Sequence, residues 1–483
     1  MSKSIIILCV SILLTLIPTS LVFANQWADK IERLKPTVVN LEVTSEVNLG
    51  FDKPGKWDGT GFIVDGKRGI IATNRHVSST SPASIKITFF DGSSTEGSVQ
   101  YYDYYHDFAF IKFDPSAVSP TFKEAKLGFS LQLKPQQTVF LIGNNEREEY
   151  SVKIGMVVNS RVNKGDRHSL TLHTSFDRTG GSSGSPVFNE QEEVVAIHFK
   201  GTDTSSFELP IEYILDSFDA IRKGEIPQRG DIGLKLDYVN IDDAIKHAGI
   251  SDDYRKIYKQ RFQGATKFIH VRTVIPRSEA ENLIKPGDII WSVGDQLIGD
   301  NLYLFDKLLD KRVDQKIKLT VLRHEGKKVF ELRVRDLEKE KTKRFVLFGG
   351  GTFQDITTEF RRKMNYGGDG VFMNNVRLGS SFAALGLYGG NKLTARRVII
   401  KELNGTEIRN LEDFIKTAET IKDGTHTSII YQDLWNENTS PDVMYTSVNL
   451  RFSPLRIVRL DGGLKLWEGS RRERGSKRST YLK

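Results

Sequence analysis

From residue 37 to about residue 200 the sequence is a succession of short strand patterns with little helical periodicity, and this stretch limits the possible folds more than any other. Its strands are rich in β-branched and aromatic residues, as in segments 38–43, 84–89, 107–113 and 150–154. Asp65-Gly66 and Asp91-Gly92 supply turn residues between such segments. Short strands at this even spacing indicate a β-barrel or a pair of barrels.

The strongest chemical signal in this stretch is the loop Gly180-Gly181-Ser182-Ser183-Gly184-Ser185-Pro186. A nucleophilic serine needs backbone N–H groups aimed at the oxygen that becomes negative, and a glycine two residues earlier lets the backbone turn such donors inward. Ser183 is therefore the candidate nucleophile, and the N–H groups of Gly181 and Ser183 are the candidate oxyanion hole. Taken alone, the same loop is more typical of a surface turn.

Two upstream motifs supply the residue types that a nucleophilic serine needs. In Thr73-Asn74-Arg75-His76-Val77, His76 follows an apolar strand and could act as a general base. In His106-Asp107-Phe108-Ala109, Asp107 enters an apolar strand, where a carboxylate is costly unless it is paired. The chain order His76, Asp107, Ser183 differs from the orders of subtilisins and α/β-hydrolases, so it selects a chymotrypsin-like double β-barrel. We therefore expect a mainly β protease domain over 25–223 with this catalytic triad.

At these motifs the chain resembles the HtrA (Deg) family of trypsin-like serine proteases, which carry T-N-x-H-V, D-x-A-x-[IL] and G-x-S-G-x-P sequences. The nearest likeness is to the double-length plant Deg and fungal nuclear HtrA-like branch. It is specific over 57–200 and looser beyond. Ser182 and Ser185 depart from the commoner Asn or Asp and Gly, but acyl transfer requires neither side chain. The resemblance implies a serine endopeptidase acting on unfolded or damaged proteins, commonly as a homotrimer. An inactive peptide-binding scaffold and a holdase chaperone are the alternatives.

Two stretches after residue 228, at 229–336 and 345–452, repeat a similar order of strands and helices and are interpreted as two α+β modules of one kind. Arg229-Gly230-Asp231-Ile232-Gly233-Leu234 resembles the start of an HtrA PDZ domain, which implies that Ile232, Gly233 and Leu234 receive the C-terminus of an extended peptide. An ordinary glycine turn is the alternative. Gly349-Gly350-Gly351 resembles the start of a second PDZ domain but could equally be a flexible turn.

Substrate preference can be tied to Asp177, which stands six residues before Ser183. In trypsin-like double barrels this offset lies at the floor of the S1 pocket, where an aspartate favours cleavage after basic residues. The alternative is a surface loop in which Asp177 pairs with Arg178 or with solvent.

Residues 1–24 depart from the ordinary composition of the rest. Lys3 is their only charge, 5–17 is an almost unbroken apolar run, and Val22-Phe23-Ala24 has small residues spaced for cleavage. The pattern predicts a signal peptide, a bacterial periplasmic or secreted location, and no membrane span after cleavage; an uncleaved anchor is the alternative. The only cysteine, Cys9, lies in this leader, which excludes a cysteine nucleophile, a cysteine zinc site and disulfides from the mature chain.

The net charge of +8 is concentrated at the two ends of the chain. Without Lys3 and the basic tail 470–483 the body is close to neutral, so we expect protein and peptide partners and no nucleic acid. The tail lacks apolar residues and is predicted to be disordered. His168, His173 and His198 do not have the spacing of a zinc set, so neither a metal nor a cofactor is expected.

Overall fold

The computed structural model describes residues 19–45, 47, 49–52, 54–145, 148–163, 169–177, 181–202, 205–383, 397–434, 440–461 and 465–470. Most of the predicted signal peptide, His168, Gly180 and the basic tail from residue 471 lie outside these ranges.

Two closed barrels of six strands each make up the first half of the chain, which confirms the mainly β double-barrel fold. The first barrel has the order β1-β2-β3-β6-β5-β4, and its strands are β1 Val38–Ser45, β2 Gly55–Asp65, β3 Ile70–Asn74, β4 Ser84–Thr88, β5 Ser94–Asp103 and β6 Phe108–Phe113. The second has the order β10-β11-β12-β9-β8-β7, and its strands are β7 Thr138–Asn145, β8 Glu148–Asn163, β9 Leu170–Thr174, β10 Pro186–Phe188, β11 Val194–Thr202 and β12 Ser205–Pro210.

Three α-helices flank the barrels: α1 Thr19–Leu34, α2 Arg75–Ser78 and α3 Glu212–Lys223, with short 3-10 turns at Lys35–Thr37 and Pro115–Ala117. Helix α1 runs through the predicted cleavage position after Ala24. Further along it, the Trp27 ring packs edge-on against Phe140 of the second barrel, with 5.3 Å between ring centroids. In the described part of the chain, no helix has the length and apolar character needed to cross a membrane.

The first C-terminal module consists of β13 Gly230–Asp231, β14 Leu234–Asn240, α4 Ile241–Ala248, α5 Asp252–Arg261, β15 Lys267–Val274, β16 Ile289–Val293, β17 Gln296–Leu297, α6 Leu302–Asp310, β18 Lys316–Arg323, β19 Gly326–Arg333 and β20 Arg335–Asp336. Its main sheet has the order β14-β15-β16-β18-β19, and β13 pairs with β20. One continuous apolar core joins the barrels, α3 and this module, and it includes Phe110, Ile214, Leu234 and Phe305. The protease barrels and the first module therefore pack as one body.

The second module consists of β21 Arg344–Phe348, β22 Gly351–Asp355, α7 Thr358–Met364, β23 Val371–Val376, β24 Val398–Leu403, β25 Thr406–Glu407, α8 Leu411–Thr420, β26 His426–Asp433, β27 Asp442–Ser447, β28 Arg456–Asp461 and β29 Lys465–Ser470. Its sheet has the order β27-β26-β24-β23-β22-β21-β28-β29. The sheet therefore continues past residue 452, where the sequence placed the end of the module. The second module has an apolar core of its own.

Candidate active site

His76 and Asp107 meet at one end of the first barrel. Strand β3 ends at Asn74 and helix α2 carries His76, while Asp107 directly precedes β6. Nδ1 of His76 lies 2.8 Å from Oδ2 of Asp107, and the backbone N–H of His76 donates to Oδ1 at 3.1 Å. The carboxylate thus contacts both the ring and the backbone of His76. This contact places the Nδ1 proton toward Asp107 and leaves Nε2 free to accept a proton.

The backbone of Asp107 is itself held in an uncommon conformation. Its φ is +66°, in the left-handed region that aspartate tolerates better than most residues. Its carbonyl oxygen accepts hydrogen bonds from Arg75 N at 3.1 Å and from Asn74 Nδ2 at 3.0 Å. The turn before β6 and the start of α2 are therefore bonded directly to each other, and this fixes the distance between the two side chains.

The loop that carries Ser183 lies between the two barrels. The Ser183 carbonyl oxygen accepts from Thr60 N of β2 at 2.9 Å, and Gly184 N donates to the His198 carbonyl oxygen of β11 at 2.9 Å. Gly184 has φ +87°, and a Cβ there would collide with the carbonyl oxygen of Thr60. Only glycine fits at this position, so the residue after Ser183 anchors the loop to both barrels.

Gly181 gives the loop its inward turn. Its φ is +87°, and a Cβ there would lie 2.6 Å from the Asn144 carbonyl oxygen. The Gly181 carbonyl oxygen accepts from Thr60 Oγ1 at 3.1 Å. Within the described ranges, no hydrogen bond is made by the N–H of Gly181 or Ser183. These two N–H groups are the donors that the sequence assigns to the oxyanion hole.

Asp177 lies on the surface, not at the floor of a pocket. Its side chain is 72% exposed, and its Oδ1 lies 2.6 Å from Lys153 Nζ. The hydrogen bond from Lys153 lowers the pKa of this carboxyl. The structure thus corrects the S1 assignment in favour of the surface-loop alternative, with Lys153 as the partner. The separation of six residues from Ser183 along the sequence does not determine where the loop places Asp177 in space.

Ile232, Gly233 and Leu234 lie in the interior of the molecule. Ile232 and Leu234 are fully buried, and Gly233, at φ +84°, packs directly against Ser278. On one side β14 pairs with β15. On its other side the Leu234 carbonyl oxygen accepts from Arg362 Nη1 at 2.7 Å, and that of Leu236 accepts from Asn163 Nδ2 at 2.9 Å. The edge on which a peptide would add is therefore covered by α7 and β8, which corrects the expectation of an open edge.

Strand β22 of the second module, which corresponds to β14 of the first, has neighbouring strands on both sides. Strand β22 pairs with β23 and also with β21, where Phe348 lies opposite Gly351. Gly349 and Gly350 have φ of +57° and +88°, as a two-residue type I′ hairpin turn requires. The triple glycine is thus a tight turn that leads into a strand, and β21 occupies the position where a peptide would add.

The sequence analysis did not identify a buried cation beside Asp107. The Arg75 side chain is only 9% exposed; its Nη1 lies 2.7 Å from Asp52 Oδ1, and its Nε lies 3.4 Å from Asp107 Oδ1. Burial alone would lower the pKa of Arg75, but Asp52 and Asp107 outweigh it and raise that pKa. The arginine directly before the motif histidine was the available signal.

A buried polar network behind the serine loop was also missed. Glu208 is fully buried and accepts from Thr174 Oγ1 at 2.7 Å and Ser206 Oγ at 2.6 Å. Its Oε2 lies 2.9 Å from Nδ1 of His198, whose backbone bonds to the serine loop. The two residues are register partners on β11 and β12, so the hairpin alignment could have revealed the pair. In the described residues, no group of three or more potential ligands is placed to hold a metal.

Comparisons with known proteins give matches over most of the chain. Residues 59–197 match a trypsin-like peptidase domain, and residues 341–424 match a PDZ-like domain. The pro-apoptotic serine protease NMA111 of Debaryomyces hansenii is 26% identical over 461 residues, which are 92% of this chain and 45% of that protein. Its counterpart in Yarrowia lipolytica is 28% identical over 429 residues, covering 86% and 42%. The chain thus spans less than half the length of these relatives.

Among solved structures, the HtrA-type protease AlgW with a tripeptide is similar to 64% of this chain and 97% of its own, at 21% identity and a TM-score of 0.49.

The curated relatives overturn the predicted location. They are fungal, hence eukaryotic, proteins, so a bacterial periplasmic or secreted location is wrong. The prediction rested only on the apolar run and small residues of 1–24, and such a pattern does not identify the organism or the compartment.

Proposed function

We propose that this chain, which belongs to the HtrA/Deg family of trypsin-like serine endopeptidases, hydrolyses peptide bonds of unfolded or damaged proteins with Ser183, His76 and Asp107. The observation that carries the proposal is the double contact of Asp107 with His76, at 2.8 Å to the ring and 3.1 Å to the backbone. A peptide-binding scaffold or a holdase needs no such orientation of an imidazole, so the enzyme is favoured over both alternatives.

In the proposed reaction, Nε2 of His76 takes the proton of Ser183 Oγ while Oγ attacks the scissile carbonyl carbon. The Asp107 carboxylate stabilises the imidazolium that results. The N–H groups of Gly181 and Ser183 donate to the carbonyl oxygen as it becomes negative. His76 then gives its proton to the leaving amine, and water cleaves the acyl-enzyme by the same sequence of proton transfers.

The C-terminal modules are proposed to bind substrate or regulatory peptides. For the first module this requires that Arg362 and Asn163 first leave the β14 edge, because both now donate to its outward carbonyl oxygens. We also propose a homo-oligomer, with the trimer as the first candidate, on family resemblance alone; mass photometry of the full chain tests this.

The decisive experiment combines fluorophosphonate labelling with turnover of unfolded casein. Wild type should label at one serine and cut casein. Ser183→Ala should abolish labelling, and Ser183→Ala, His76→Ala and Asp107→Asn should each lower turnover by at least about 10³-fold, because triad members act as a unit. The matched control is Ser94→Ala, at an exposed position on β5, which should leave both readouts unchanged. Normal turnover by Ser183→Ala would exclude the mechanism. Absence of labelling in folded wild type would favour the scaffold.

A further inference from the structure

We propose that a cleft between the two C-terminal modules binds a compact oligophosphate anion. The cleft has a volume of about 730 Å³, within the usual size range of small-ligand sites. The basic side chains that line it come from both modules and from the segment joining them, and they include Arg277, Arg335, Lys343, Arg344, Arg361 and Arg459. The proposal does not depend on the proteolytic activity.

Some of these cations lack a counter-charge. Arg277 lies 2.6 Å from Asp369, and Arg344 lies 3.0 Å from Glu412. By contrast, in the parts of the chain that the structure describes, Arg361 has no carboxylate within 4 Å. The same holds for Lys343, which is exposed. The cleft therefore holds more positive charge than the protein itself neutralises.

Arg361 is the most constrained of the unneutralised cations. Its side chain is partly buried, and Nη1 donates to the carbonyl oxygens of Tyr366 at 3.1 Å and Gly368 at 3.0 Å. These neutral acceptors fix the guanidinium without balancing its charge. Burial, and next the positive charge of Arg277, lower the pKa of Arg361, although the negative charge of Asp369 opposes them. A bound anion would relieve both effects.

Two of the arginines that line the cleft face each other across adjacent strands. Arg344 on β21 lies directly opposite Arg459 on β28. Like charges at directly opposite positions destabilise a sheet unless something neutralises them. Glu412 contacts Arg344, and the register places Glu468 of β29 directly opposite Arg459, so this arginine pair does not by itself require an anion.

The two carboxylates that line the cleft are already engaged. Asp355 Oδ1 accepts from the backbone N–H of Leu411 at 2.8 Å. Glu340 accepts from the Thr358 hydroxyl and lies 3.9 Å from Arg335. Burial raises the pKa of Glu340, although Arg335 opposes this shift. Neither group forms an ion pair with Arg361.

The arrangement favours linked phosphates over other anions. Planar guanidinium groups form two parallel hydrogen bonds with phosphate oxygens, and most of the lining cations are arginines. They converge on one concave volume from separate segments and do not follow a linear track, which fits a compact anion better than a nucleic-acid strand. Arg277 of the first module and Arg361 of the second are close enough for the charge of Arg277 to lower the pKa of Arg361, so one compact anion can contact both. The source is either a free oligophosphate or the phosphate arm of a nucleotide.

Isothermal titration of the full chain with tripolyphosphate, ATP, orthophosphate and hexaglutamate tests the proposal. Tripolyphosphate should bind at one site per chain, at least about tenfold more tightly than orthophosphate, and more weakly at high salt. Arg361→Gln and Lys343→Gln should each weaken binding at least about fivefold, whereas Arg451→Gln should not. Arg451 is the matched control, because it lies on the same module with its side chain 85% exposed and paired with Asp423. Equal affinity for ATP and tripolyphosphate assigns recognition to the phosphates alone, and a tighter ATP complex assigns it to a nucleotide.

Three results would overturn the proposal. The first is the absence of saturable tripolyphosphate binding, the second is hexaglutamate binding without tripolyphosphate binding, and the third is equal weakening by Arg451→Gln. If Arg361→Gln does not fold, Lys343→Gln decides the question, because that position is exposed and its side chain contributes no hydrogen bond within the described residues.

Discussion

Arg362→Met should destabilise the contact between the two modules and uncover the β14 edge. The Arg362 side chain is 5% exposed and pairs with Asp231, which is 4% exposed. The substitution keeps the aliphatic stem but leaves a buried carboxylate without its cation. Breaking a buried pair in this way costs about 3–5 kcal/mol. The Leu234 carbonyl oxygen also loses its hydrogen-bond donor. Because the same side chain makes the ion pair and this hydrogen bond, the two free-energy costs are not independent, and the range of about 3–5 kcal/mol covers both.

The loss can be measured locally by hydrogen exchange at the amides of β14. A cost of about 3 kcal/mol corresponds to roughly 100-fold more frequent opening, hence to roughly 100-fold faster exchange. Asp231→Asn combined with Arg362→Met removes both charges, so most of the stability should return, because neutral replacement of a buried pair is often tolerated. The control Arg409→Ala breaks a pair whose side chains are 66% and 68% exposed, which should cost less than about 1 kcal/mol.

The double variant also tests whether Arg362 limits peptide binding. With the fold restored and the Leu234 carbonyl oxygen uncovered, only Asn163 must still leave the edge, so a peptide with an apolar C-terminal residue should bind at least tenfold more tightly than it binds wild type. Amidation of that peptide should weaken the complex, since the terminal carboxylate is recognised. Unchanged exchange in Arg362→Met would refute the energetic reasoning. Wild-type affinity in a stable double variant would show that Arg362 does not control access to the edge.

Two further predictions concern single side chains. Asp177→Ala should leave the cleavage pattern on a peptide library unchanged, because Asp177 is 72% exposed and bonded to Lys153; a shift away from basic residues would restore the S1 assignment. His106→Asn should reduce the loss of unfolding free energy, measured in urea, that occurs as the pH rises above about 6.5. Burial lowers the pKa of His106, but Asp103 and Asp306 outweigh it and raise that pKa, so the stabilisation is complete below about pH 6.5 and is lost as the pH rises through the raised value. Equal slopes in wild type and variant would refute this.

The double barrel and the meeting of His76 with Asp107 could be predicted because their signals are local. Each residue sits at the end of a strand with a clear apolar pattern, and the order of the motifs along the chain selects one topology. The serine loop was predictable for a similar reason, since Gly181 and Gly184 both adopt positive φ where a side chain would collide with the neighbouring barrel.

The contacts that cover β14 could not be predicted in this way. Arg362 and Asn163 lie 128 and 73 residues from the carbonyl groups that they bind, and neither belongs to a recognisable motif. A sequence pattern can indicate that a strand has the character of a peptide-binding edge. Whether another part of the same chain occupies that edge depends on how the modules pack, which no local pattern records.

Both C-terminal modules make contacts close to Asp107, the carboxylate of the proposed triad. Asp107 lies next to His106, whose Nε2 is 3.3 Å from Asp306 of α6 in the first module. On its other side, Arg75 links Asp107 to Asp52, and the backbone N–H of Gly50 in the same loop donates to Gln354 of the second module at 2.9 Å. Displacement of either module must therefore break a hydrogen bond within two or three residues of the groups that hold Asp107. Both modules therefore make hydrogen bonds close to Asp107, the residue that orients the base.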